Sequence, residues 1–248
     1  MNVAVMGRTL SKLQEVADKI NELGGNGLAV TADVTKPEEV KAAKEIINDK
    51  FGKVDILING AGGNHPKGTT SKEYFENGDI EDPDVISFFD LAPENFNYVF
   101  NLNIVGTVVP TQIFLPDMVG REGTSVINVA SMSSYKAITR VSAYSAAKAA
   151  IVNFTEWLAV HFANSGVRVN AIAPGWFETV QNRTLLRNPD GSLSDRAKKV
   201  IAHTPYGRFG KPEELTGTIL FLADPEMSGF VTGATIPVDG GFEAYAGV

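Results

Sequence analysis

SMSSYKAITRVSAYSAAK, residues 131–148, decides how this chain is read. Just before it, residues 125–130 (SVINVA) form a short, largely apolar run that predicts a buried strand. Beyond it, small and apolar residues recur at helical spacing over residues 145–164, with Trp157 and Phe162 among them, and predict a helix. Tyr144 and Lys148 are four apart, so on a helix the phenol and the ammonium share one face. Ser131 leaves the end of the predicted strand, the edge at which open α/β sheets bind their ligands. A hydroxyl from that edge, with a phenol and an ammonium from the next helix, can surround one carbonyl oxygen.

The surrounding chain supplies the scaffold. Strands are predicted over residues 2–6, 28–32, 54–59 and 167–173, and helices over residues 9–23, 37–51 and 93–118. In the first helix Leu10, Leu13, Val16, Ala17 and Ile20 are expected inward, and Gly24 and Gly25 end it. Pro110 is expected to kink the helix over residues 93–118, and Gly106 to permit a close approach within it. Strands alternating with helices of this length predict an α/β fold with a parallel sheet covered on both faces. Residues 63–91 form a long polar connection with several glycines and prolines, expected to act as a lid over the site. With no repeat or low-complexity tract, residues 1–248 are read as one domain.

Composition narrows the function classes. The net charge of −7 argues against a nucleic-acid surface. No apolar run approaches the roughly 18 residues of a membrane span, and residues 1–12 do not resemble a signal peptide. Zero cysteines exclude disulfides and thiolate metal sites, which suits a cytoplasmic location. His65, His161 and His203 have no metal-ligand spacing, so no metal is expected.

The Y-x-x-x-K pair of Tyr144 and Lys148, with Ser131 upstream, resembles the active site of the short-chain dehydrogenase/reductase family. The resemblance implies a Rossmann-like doubly wound parallel sheet and an NAD(P)-dependent oxidoreductase. It makes Tyr144 the acid/base, Lys148 its electrostatic partner and a ligand of the nicotinamide ribose, and Ser131 the holder of the substrate oxygen. A free phenol has a pKa of ~10, and the ammonium is expected to lower it. Asn103, in Asn103-Ile104-Val105-Gly106, resembles the family's N-x-x-G, whose asparagine holds the helix open and relays protons through water. Asp33 and Val34 match the pair that flanks adenine, and Asn59, Gly60 and Ala61 open a turn resembling N-N-A-G, with Gly60 in place of the second asparagine. Pro174, Gly175 and Thr179 resemble P-G-x-x-x-T, which holds the nicotinamide carboxamide. Arg8 stands beside the place where the family carries an acidic residue for NAD, and its guanidinium suits a 2′-phosphate, favouring NADP over NAD. The D-G-G ending at Asp239, Gly240 and Gly241, and the helices beginning near residues 93 and 145, resemble oligomer contacts, implying a homodimer or homotetramer.

The resemblance has a gap at its start. A dinucleotide-binding fold opens with a strand, a glycine-rich turn and a helix. No such unit is found before Asn2, and the first strand looks like the family's second. The expectation is therefore an N-terminally truncated domain lacking a first unit on the order of 30 residues. The alternative is a cofactor-free protein that binds partners without catalysis.

For the substrate, the chain is similar to the D-mannonate (fructuronate) oxidoreductase branch. The carrying segments are residues 61–66, Phe88 to Leu91, Pro174 to Phe177, and Gln181-Asn182-Arg183. The implied reaction interconverts a secondary alcohol and a ketone on a small-molecule sugar acid, with a gluconate 5-dehydrogenase or another polyol enzyme as the alternative. Asn64, His65, Lys136, Trp176 and Arg183 are the candidate substrate residues. Arg183 is favoured over Lys136, Arg140 and His65 for the carboxylate, because a guanidinium binds one bidentately.

Overall fold

The structure, a computed structural model, describes residues 1–180 and 182–247. Gln181, part of the segment expected to face substrate, lies outside the described residues. Strands and helices alternate: β1 (Asn2–Gly7), α1 (Leu10–Glu22), β2 (Asn26–Thr31), α2 (Pro37–Phe51) and β3 (Ile56–Asn59). After the long connection come α3 (Pro93–Phe100), α4 (Gly106–Phe114), β4 (Thr124–Val129), α5 (Ser142–His161) and β5 (Val167–Pro174). The chain ends with α6 (Arg183–Leu186), α7 (Asp195–Ala202), α8 (Thr216–Ala223), α9 (Pro225–Ser228) and β6 (Thr235–Val238).

All strand pairs are parallel, as the alternation requires. They form two sheets rather than one: β1 pairs only with β2, while β3-β4-β5-β6 run in that order. Among the described residues no strand pairs with the other side of β1 or of β3. β4 and β5 are buried almost throughout, which explains their unalternating apolar runs. One face of these strands carries Val126, Val167 and Val169 against Val109, Phe114 and Leu158; the other carries Ile127 and Ile172 against Leu222. α1 departs from expectation. Leu13 and Ala17 are buried, but Leu10 (54% exposed) and Val16 (47%) face outward. A sheet of two strands is too narrow to cover the apolar stripe that the helix presents.

The helical segment over residues 93–117 is long and apolar enough by composition to cross a membrane, but half of its most apolar window is buried inside the protein. It is broken by a π-helical turn at Asn101–Val105. The expected kink at Pro110 is not where the irregularity lies: Pro110 sits buried inside α4. The π turn lets Asn103, fully buried, point its carboxamide out of the helix, a geometry that recurs at functional sites. At the end of that turn a Cβ on Gly106 would stand 2.9 Å from the Val34 Cγ2, so glycine is what allows the two segments to touch.

A polar ladder runs through the middle of the core. Asn59 and Asn128 are register partners on β3 and β4. The Asn59 amide donates to Asn128 Oδ1 (2.9 Å) and Thr111 Oγ1 (3.0 Å), and the Asn128 amide donates to Thr155 Oγ1 (2.9 Å). All four side chains are buried, so each depends on the others for its hydrogen bonds. Asn128→Leu removes one of the two acceptors of the buried Asn59 amide and the donor to Thr155, and is expected to lower the unfolding free energy by about 2–4 kcal/mol. Urea denaturation checks this, and an unchanged midpoint would contradict the ladder's role.

The connection over residues 63–91 folds into short 3-10 turns and packs on the loop that precedes α5. The Thr70 N–H donates to Arg140 O (3.1 Å), and Arg140 Nε donates back to Thr70 O (2.8 Å). This reciprocal pair holds Arg140 at φ 75°, the only left-handed non-glycine backbone among the described residues.

Candidate active site

Ser131 emerges just past the end of β4, and α5 begins eleven residues later, so Tyr144 stands in the helix's first turn and Lys148 one turn on. The Tyr144 phenol packs among Val99, Ala143, Ala147 and Phe96 with its hydroxyl near Ser131, whose Oγ accepts from Ser133 N at 3.2 Å. Lys148 is only 4% exposed, its Nζ 5.8 Å from the Tyr144 ring centroid and donating to Val129 O at 2.8 Å. The expected triad therefore converges at the carboxyl ends of the strands.

Its electrostatics differ from expectation. Burial pushes the Tyr144 phenol above its ordinary value, and the Ser131 hydroxyl only partly opposes this. Burial also depresses Lys148 to about 8. The ammonium thus does not lower the phenol in the protein alone, because desolvation disfavours both charged forms.

The turn after β3 closes the site from the other side. A Cβ on Gly62 would fall 2.7 Å from Asn103 Oδ1 and 3.0 Å from Lys148 Nζ, so the backbone there presses directly against both groups. Asn103 grips the turn: its amide donates to Gly63 O (2.7 Å) and Val99 O (2.8 Å), while Oδ1 accepts from Gly63 N (3.1 Å). Its side chain is committed to shaping the turn beside Lys148.

The cofactor candidates divide. Lys148 has a single hydrogen bond for three ammonium protons among the described residues. A buried ammonium with two unmatched donors fits a pair of ribose hydroxyls. Asp33 Oδ1 accepts from the Thr35 backbone and hydroxyl, which hold its carboxyl below the usual range with help from Arg8's charge. Arg8 itself is exposed just after β1, and Val34 lies against the π turn. Gly60 is exposed and Ala61 half-buried at the end of β3, where their backbone is open to a ligand. The Asn59 amide, by contrast, is turned into the core ladder and away from a cofactor. Pro174 ends β5, and the Gly175 N–H donates to Val238 O (2.9 Å). Thr179 is exposed and its N–H is held by Asn182 Oδ1 at 2.8 Å.

Of the substrate candidates, Asn64 donates to Thr69 Oγ1 (2.9 Å), and its own Oδ1 is buried without a partner among the described residues. His65 accepts from Lys67 N and packs on Tyr98, with ring centroids 4.9 Å apart. Lys136 pairs with Glu243 at 3.8 Å. Arg183 is exposed at the start of α6. Trp176, just past β5, has a buried Nε1 with no hydrogen-bond partner among the described residues. Over its ring lies a residue absent from the sequence expectations: the Arg196 guanidinium of α7, 5.6 Å from the centroid. Arg196 donates to Thr139 O at 3.2 Å and meets Glu73 at 3.8 Å. Nothing in the run DRAKKVIA separates Arg196 from its basic neighbours, since its position depends on four segments meeting.

Comparison with known proteins gives the same frame. A family model described as enoyl-(acyl carrier protein) reductase matches residues 1–243. An uncharacterized oxidoreductase of Bacillus subtilis, UxuB, is 52% identical over 248 residues, covering all of this chain and 88% of that protein. A Haemophilus influenzae structure with bound NAD, described as a candidate D-mannonate oxidoreductase, superposes with a TM-score of 0.95 at 46% identity, over 100% of this chain and 88% of that one. A gluconate 5-dehydrogenase from Burkholderia cenocepacia, in complex with NADP and tartrate, gives a TM-score of 0.80 at 28% identity, over 98% and 86% of the two chains. These matches do not support the expected absence of a first strand–turn–helix unit.

Proposed function

The chain belongs to the short-chain dehydrogenase/reductase family and is an NAD(P)-dependent oxidoreductase, and we propose that it interconverts a secondary alcohol and a ketone on a sugar acid of the D-mannonate/D-fructuronate type. The observation that carries the chemistry is the half-buried Tyr144 phenol, near the Ser131 hydroxyl and with the buried Lys148 ammonium 5.8 Å from its ring centroid. The nicotinamide, when bound, supplies or accepts the hydride. Ser131 holds the reacting oxygen by a hydrogen bond. Tyr144 gives that oxygen its proton in reduction and removes it in oxidation. Lys148 holds ribose hydroxyls and places positive charge beside the phenol, and Asn103 keeps the turn at Gly62 and Gly63 against it.

The substrate class rests on the names of the H. influenzae and B. cenocepacia proteins, one a candidate mannonate enzyme and the other a gluconate enzyme. A gluconate 5-dehydrogenase activity is the second reading, supported by that second structure. For the cofactor, Arg8 favours NADP through its charge, and the NAD held by the 46%-identical protein favours NAD. A homodimer or homotetramer is supported by the exposed apolar side chains of Tyr98, Phe100, Trp157 and Val160.

Assays of aldonates, uronates and neutral polyols with both cofactors test the substrate reading. The expected result is a kcat/KM for D-mannonate or D-fructuronate at least about tenfold above that for any neutral polyol. A preference for neutral polyols would overturn it.

A further inference from the structure

Four segments meet at Arg196: the loop between Ser131 and Tyr144 through Thr139, the end of β5 through Trp176, the long connection through Glu73, and α7 itself. Three of them leave the carboxyl ends of strands, the edge at which Ser131 also leaves β4, so Arg196 lies on the side of the sheet that carries the active site. Its side chain is only 13% exposed, yet its charge is poorly answered. Glu73 stands 3.8 Å away and is held more closely by Lys199, at 2.9 Å. Arg140, one residue beyond Thr139, adds a second guanidinium whose charge Arg196 feels. Beside Arg196 the Trp176 Nε1 is a buried donor with no acceptor among the described residues. Two cations and an unmatched donor against one shared carboxylate describe a place short of acceptor oxygens.

We propose that Arg196, lying over the Trp176 ring, binds the carboxylate of the sugar-acid substrate, and that Glu73 withdraws to Lys199 as the substrate enters. The inference rests on the sugar-acid reading above and replaces Arg183, which is exposed on α6. A guanidinium already held over an aromatic ring and by the Thr139 carbonyl loses little freedom on binding, and it pairs with a carboxylate through two parallel hydrogen bonds. Its exchange of one carboxylate for another keeps the buried charge answered throughout.

The test uses two variants with opposite expected signs. Arg196→Gln is expected to raise KM for D-mannonate roughly 10- to 100-fold while kcat stays within about threefold, as befits a lost charged hydrogen bond. Glu73→Gln removes the competing carboxylate and is expected to lower the same KM by about two- to fivefold. If Arg196 only clasps the connection to α7, both variants weaken the enzyme alike, and that result overturns the proposal. Calorimetric titration with tartrate, a hydroxy dicarboxylate, reads the site without turnover. Binding weakened about tenfold or more by Arg196→Gln supports the site even if no sugar acid is turned over, which would sink only the substrate reading. Equal tartrate binding by the wild type and Arg196→Gln overturns the proposal whatever the substrate.

Discussion

Tyr144→Phe is expected to lower turnover by about 10³-fold or more while leaving dinucleotide affinity unchanged. The ring fills the same space among Val99, Ala143 and Ala147, so the packing that positions α5 is kept and only the proton-bearing oxygen is lost. The comparison needs two readings: steady-state turnover followed by nicotinamide absorbance, and a binding isotherm from nicotinamide fluorescence. The pH dependence gives a further check. Because burial raises the phenol, little phenolate is present near neutrality, and wild-type alcohol oxidation should gain rate as pH climbs. The residual rate of Tyr144→Phe should not follow that climb. A variant that retains turnover would mean that some other group handles the proton.

Lys148→Met is expected to cut turnover by about 10²-fold and, in the opposite sense, to stabilise the protein. The ordinary lysine value of 10.5 falls to about 8 in the fold because the ammonium is buried. Below pH 8 the folded protein carries a charge that the unfolded chain would solvate better, so the cost is fully present there. Between 8 and 10.5 the unfolded chain binds more protons, so wild-type stability rises with pH and the cost fades. At pH 7 the shift corresponds to about 3 kcal/mol, and loss of the bond to Val129 O returns about 1. The methionine variant should therefore be more stable by about 1–3 kcal/mol at pH 7, with the gap closing as pH rises past 8. Urea unfolding of both proteins across that range checks it. A less stable variant at neutral pH would show that the ammonium contributes to folding instead of opposing it.

The two expectations share a cause. Function here requires a phenol and an ammonium in a water-poor site, and the fold holds them there against their own solvation preference. The polar ladder of Asn59, Asn128, Thr111 and Thr155 supplies part of the rigidity that makes this possible, since it joins β3 and β4 to the helices carrying Asn103 and Lys148.

The parts of this site that were legible in the sequence are those fixed by local spacing. Tyr144 and Lys148 lie one helical turn apart wherever the helix goes, and Ser131 follows an apolar strand that has to be buried. The rest depends on contacts that cross the chain. The Asn59 amide faces inward because β3 and β4 pair in a register that sets it opposite Asn128. The helix over residues 93–117 breaks at residues 101–105 and not at Pro110, because Asn103 is drawn to the backbone of Gly63. Leu10 and Val16 carry an inward pattern, but the two-stranded sheet beneath them is narrower than their stripe. The direction of the Tyr144 shift is set by burial among residues from α3 and α5, which spacing alone does not reveal. Arg196 matters through four segments that are distant in sequence.

The most direct measurement gives the protein a reduced nicotinamide dinucleotide carrying deuterium at both positions of its reducing carbon together with D-fructuronate, and weighs the product by mass spectrometry. The account predicts that wild-type product gains one deuterium and that Tyr144→Phe yields essentially none over the same time. Product without label, or labelled product from Tyr144→Phe at the wild-type rate, would contradict it.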